Sequence, residues 1–126
     1  MKLYLAVALG GAIGSAGRYF IAGQMMRWLG VNFPWGTLTV NIVGSFAMGV
    51  LIELLALKYS ISPELRAFFV VGVLGGFTTF SAFALDVSVL VERHAGLLAA
   101  TYAAASVFLS VGALFLGLFI VRQLLN

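Results

Sequence analysis

The chain has 126 residues, of which 63% are hydrophobic and only 9% charged, with a formal net charge of +3. Soluble domains carry about 25% charged residues, so this composition, with a mean hydropathy of +1.14, excludes a water-soluble domain and indicates a small polytopic membrane protein. The lack of cysteine excludes a disulfide framework, a thiolate nucleophile and a cysteine metal site.

The single histidine, His94, excludes a multi-histidine metal site within one subunit. With no close carboxylate pair either, enzymatic chemistry is not expected. The modest positive charge carries no nucleic-acid signal, because loop lysines and arginines in such a chain set topology.

Four apolar segments follow one another, each near the ~20 residues that span a bilayer. The first is expected over residues 3–25. Met1-Lys2 and the apolar run after it have the outline of a secretory leader. However, the run continues into Arg18-Tyr19-Phe20, and Gly10, Gly14 and Gly17 form a stripe on one helical face. Gly10 and Gly14 are spaced for close helix packing, as are Ser45 and Gly49 in the second span. A polar and aromatic loop from Arg27-Trp28 to Pro34-Trp35 precedes that span, expected over residues 36–57, with Glu53 near a membrane interface.

Ser62-Pro63 marks a helix start. The third span is expected over residues 65–91, broken near its middle at Gly75-Gly76, and the fourth over residues 96–125. The fold class is therefore an all-α membrane protein, one four-helix transmembrane domain covering residues 1–126, with both termini on one side.

Lys2, Lys58, Arg66 and Arg122 fall on the terminal side, and Arg18, Arg27 and Arg93 on the other. Orientation follows the bias in these residues, and here it is nearly absent. Two readings stay open: a single orientation set by weak cues, or insertion both ways and pairing as an antiparallel dimer. Four short helices also enclose little space, which favours a homo-oligomer.

Polar groups inside spans are costly and need partners. Asn41 serves either as interhelical glue or as a donor lining a path. Tyr102, Ser106 and Ser110, spaced by four, form a ladder on one helical face. Each hydroxyl alone has a simpler account in a bond to its own helix. Gly75-Gly76-Phe77-Thr78-Thr79-Phe80-Ser81-Ala82-Phe83 weakens the third span, and freed carbonyls there, with the Thr78 hydroxyl, suit a cation. The alternative is a kink re-satisfied by threonines. Phe80 and Phe83 share a face, and phenylalanine edges are weakly positive, though such stripes are commonly packing. Arg18 either faces a vestibule or snorkels. Asp86 lies one turn beyond Phe83.

Gly36-Thr37-Leu38-Thr39-Val40-Asn41 with Gly44, Ser45 and Gly49, residues 75–83, and the run from Gly10-Gly11 through Gly14 to Arg18-Tyr19 closely resemble the Fluc (CrcB) fluoride channel family over essentially the whole chain. The resemblance implies a dual-topology antiparallel homodimer in the bacterial or archaeal plasma membrane. It implies two pores that export fluoride passively from the cytoplasm. By this resemblance Asn41, Phe80 and Phe83, with Thr79, Ser81 and the Tyr102, Ser106 and Ser110 hydroxyls, belong to the fluoride pathway. Arg18 belongs to a vestibule, and the carbonyls of Gly75 and Thr78 from both subunits hold a structural sodium ion at the dimer centre. Ala82 and Ala84 stand where hydroxyl residues are common in the family, and Asp86 where glutamate is usual.

Two alternatives remain. A small multidrug-resistance-type proton-coupled exporter needs an embedded carboxylate in the first helix, and residues 3–25 have none. A non-transporting assembly protein would use its polar groups only as glue and would tolerate their replacement.

Overall fold

The computed structural model describes all 126 residues, Met1–Asn126, and every regular element is helical. Helix α1 (Lys2–Leu29) runs past the expected end at Met25 and takes in Arg27 and Trp28. It stops at Gly30, whose φ of 92° lies in the left-handed region that favours glycine and whose N–H bonds Met26 O. The loop to α2 (Trp35–Leu57) is thus only residues 30–34.

The third span starts with α3 (Pro63–Arg66), where the Ser62 hydroxyl accepts the Leu65 N–H at 3.1 Å and proline occupies the first turn. It continues as a π-helical segment (Ala67–Leu74) and a short α4 (Gly75–Phe77), and resumes as α5 (Ser81–Glu92). A turn through His94, at φ 59°, leads to α6 (Gly96–Leu125). The stretches Lys2–Leu29, Trp35–Leu57, Pro63–Glu92 and Gly96–Leu125 are each long and apolar enough to cross a membrane.

The interruption in the third span differs from the sequence expectation. Gly75 is an ordinary helical residue (φ −63°, ψ −39°), and the chain leaves the helix at Thr78 (ψ 160°) and rejoins it at Ser81. The span bends only slightly there. The glycines alone do not unwind it, because Gly76 is packed against α1 at Gly11 and Ser15. Helical bonding fails three residues later, where side chains compete for the backbone.

Glycines set the helix spacing. A Cβ on Gly14 would sit 2.1 Å from Val73 O and one on Gly10 2.3 Å from Phe68 O, so α1 lies directly against the third span. A Cβ on Gly49 would meet Leu114 O at 2.1 Å and one on Gly117 would meet Phe46 O at 2.5 Å, which joins α2 to α6 in the same way. Backbones approach this closely only across small residues. One turn beyond Gly49, Glu53 is buried and paired with Arg122 of α6, rather than exposed to headgroups as its position suggested.

At the opposite end Leu38, Leu90, Ala99 and Tyr102 form a buried cluster joined by Phe33 and Phe83. Only 15 of 126 residues are buried in the isolated chain, so its outer apolar faces suit lipid or another chain.

Candidate ion pathway

Asn41 projects from α2 into the interruption and bonds Thr79 twice. Its Nδ2 donates to Thr79 O at 2.9 Å, and its Oδ1 accepts the Thr79 N–H at 2.7 Å. The Thr79 hydroxyl in turn accepts the Ala82 N–H at 3.1 Å and so caps α5. One Nδ2 hydrogen of Asn41 remains to donate elsewhere.

A continuous helix would bond the N–H groups of Thr79, Phe80 and Ala82 to the carbonyls of Gly75, Gly76 and Thr78. None of these bonds forms. Arg18 Nε donates to Gly76 O at 3.1 Å, and the Thr78 hydroxyl donates back to Leu74 O at 3.1 Å. The carbonyls of Gly75 and Thr78 receive no hydrogen bond within the chain.

Beside the interruption lies a cavity of about 280 Å³ whose lining includes Asn41, Ser45, Thr78, Thr79, Phe80, Phe83, Ser106 and Ser110. No charged residue lines it. The hydroxyls of Ser106 and Ser110 are buried and make no hydrogen bond. The simpler account of these serines, a bond to their own helix, therefore does not describe them. The Phe80 ring, on a residue 78% exposed, stands 5.4 Å from that of Phe83, and Phe83 stands 5.2 Å from Tyr102.

Not every candidate residue reaches this cavity. Tyr102 is fully buried behind Phe83, donating its hydroxyl to Asp86 at 3.0 Å. Ser81 points to the exposed side, 3.4 Å from the Thr79 hydroxyl. Gly75 lies outside the lining, three residues before the chain leaves the helix at Thr78. Arg18 lines a second, larger cavity of about 650 Å³ with Arg27, Gln24, Thr37 and Asp86.

Two features escaped the sequence reading. Ser45 lines the first cavity one turn from Asn41, a position its spacing of four already indicated. The Glu53–Arg122 pair had no local signal beyond its nearness to Gly49 and Gly117.

The family described as "CrcB-like protein, Camphor Resistance (CrcB)" matches residues 5–118. A fluoride-specific ion channel FluC of Rhodospirillum centenum is 58% identical, over 97% of this chain and 97% of its own. The proteins of the same name from Chelativorans sp. and Agrobacterium fabrum are each 56% identical, covering 94% of this chain and 95% and 94% of theirs. A family match over nearly the whole chain, relatives of this identity and four membrane-length helices agree, and the chain is a multi-pass membrane protein belonging to the CrcB family.

Proposed function

We propose that the chain is a fluoride-selective channel. The observation that carries this reading is the uncharged cavity lined by Asn41, Phe80, Phe83 and the unbonded hydroxyls of Ser106 and Ser110, in a chain so similar to proteins named as fluoride channels. Fluoride is small and strongly hydrated, so a pathway must replace its water with hydrogen-bond donors. The free Nδ2 hydrogen of Asn41 and the two serine hydroxyls are such donors, and the rings of Phe80 and Phe83 add weakly positive edges. The N-terminal end of α5 borders the same cavity and favours an anion. With no lysine or arginine in the lining, the ion is free to leave.

The second, larger cavity, with Arg18 and Arg27, acts as a vestibule that concentrates anions. Flux is passive, and runs outward when cytoplasmic fluoride, entering as its neutral acid, exceeds that outside. The functional unit is an antiparallel homodimer with two pores. The exposed Phe80 and the nearly balanced lysine and arginine count support it. A sodium ion at the dimer centre is held by the Gly75 and Thr78 carbonyls of both copies. Both carbonyls are free of hydrogen bonds in the chain, which is the donor chemistry that a hard cation takes. The ion is structural and neutralises carbonyl dipoles that the interruption exposes.

The test is efflux from liposomes loaded with fluoride, followed with a fluoride electrode beside a chloride control. Fast fluoride efflux without chloride efflux is expected. A dimer that passes neither ion would overturn the channel reading in favour of an assembly role, and efflux that requires a proton gradient would favour an exporter.

A further inference from the structure

Arg18 is the one cation whose side chain reaches the interruption. It lies one turn beyond Gly14, where α1 and the third span are in backbone contact, so its stem is fixed at the level of Gly76. Its Nε donates to Gly76 O at 3.1 Å, and no carboxylate lies within ion-pair distance of its guanidinium. Of the carbonyls at Gly75, Gly76 and Thr78, stripped of helical partners, only that of Gly76 is bonded. An unbonded carbonyl inside a membrane is costly, and one facing the wrong way would re-form a helical bond and close the interruption.

We infer that Arg18 is a positioning residue. By holding the Gly76 carbonyl toward α1, away from the Phe80 N–H, it keeps the third span unwound at Thr78–Phe80 and leaves the Gly75 and Thr78 carbonyls without helical partners. This rests on the channel reading and deepens it. The geometry used is that of Nε, not of the positive charge as such. In glutamine, Nε2 stands the same number of bonds from Cα as Nε does in arginine, so Arg18→Gln keeps a donor at this place and loses the charge. In lysine a methylene occupies the place, so Arg18→Lys keeps the charge but moves its donors one bond beyond the position of Nε.

The experiment measures fluoride efflux from liposomes over a range of fluoride concentrations for the wild-type chain and both variants, with dimer assembly checked by size-exclusion chromatography. Arg18→Gln should retain at least about half of the maximal rate while needing more fluoride to reach it, as steering weakens. Arg18→Lys should lose about tenfold or more of the maximal rate at an unchanged half-saturating concentration.

The reverse order, or two variants that both conduct at the wild-type maximum, would overturn the inference. So would loss of efflux in an assembled Arg18→Gln variant. If Arg18→Lys does not assemble, Arg18→Gln alone decides, by the same criterion. An inert wild-type chain would overturn the channel reading itself, and the inference with it, before the variants are compared.

Discussion

Asn41 and Thr79 are joined by two reciprocal hydrogen bonds, 2.9 Å and 2.7 Å long, between one side-chain amide and one peptide unit. The amide takes the place that the next helical turn would occupy, so the interhelical glue and the proposed pathway donor are one side chain. The group that opens the third span also offers a hydrogen to the cavity.

Asn41→Asp keeps the acceptor for the Thr79 N–H but loses the donor to Thr79 O and adds a negative charge. It should cost about 1–3 kcal/mol of stability and suppress fluoride efflux. Thermal unfolding and liposome flux would measure the two effects, and wild-type flux in Asn41→Asp would remove the amide from the pathway.

Phe80 and Phe83 are separable in stability although both are proposed for flux. Phe83 is half-buried against Tyr102, whereas Phe80 is exposed in the single chain. Phe83→Ile should cost about 1 kcal/mol through its aromatic contacts, and Phe80→Ile should leave the fold of the single chain nearly untouched. Each should lower fluoride efflux at least about tenfold with the dimer intact, since ring edges that touch a dehydrated anion have no aliphatic substitute. Normal flux in both would exclude the rings as ligands.

Ser106 and Ser110 offer an unusually clean test because their hydroxyls are unbonded. Removing an unsatisfied buried donor costs no hydrogen bond. Ser106→Ala and Ser110→Ala should therefore leave the unfolding temperature unchanged or raise it, and still slow fluoride efflux. A melting point lowered in step with flux would assign the hydroxyls to packing.

Glu53 and Arg122 should respond unequally. Arg122→Ala leaves a buried carboxylate without its partner, whereas after Glu53→Gln the half-exposed Arg122 extends to the interface. The first should cost about 1–3 kcal/mol, between the surface and buried limits for ion pairs, and the second clearly less. Unfolding in detergent would show the order, and equal costs would mean that the carboxylate is hydrated.

Gly14 and Gly112 are both glycines inside helices, but their surroundings differ. A Cβ on Gly14 meets a main-chain oxygen at 2.1 Å, and one on Gly112 meets nothing within 4 Å. Gly14→Ala should destabilise by about 1–3 kcal/mol or prevent folding, while Gly112→Ala should be neutral or slightly stabilising in the same unfolding assay.

The four spans were legible because apolar length is a property of the chain alone. The helix contacts were partly legible, since Gly10, Gly14 and Gly49 lie at the spacings where backbones meet. The position of the interruption was not. Gly75-Gly76 is the weakest pair in isolation, but the side chains that compete for the backbone are distant in the chain, Asn41 by 38 residues from Thr79 and Arg18 by 58 residues from Gly76. The end of α1 was misjudged for a different reason: Arg27 and Trp28 read as interface residues, yet a helix end holds both comfortably, and Gly30 is the true stop.

The hydroxyl ladder on α6 was visible as a spacing. Its division into Tyr102, tied to Asp86, and two idle serines depends on which residues face it across the bundle.

The π-helical segment from Ala67 to Leu74 has a consequence for length variation. Wound with bonds five residues apart instead of four, it stores slack just before the interruption. Removing one residue there would let the segment tighten into α-helix, whereas one removed from α1 has no such outlet and turns every later side chain by about 100°. In the segment, the rewinding takes up the missing residue, so Thr78 and Thr79 keep the phase in which they meet Gly44 and Asn41. The segment thus works as a vernier between the helix start at Pro63 and the bonds at Thr79, and the chain's one-residue tolerance is concentrated there.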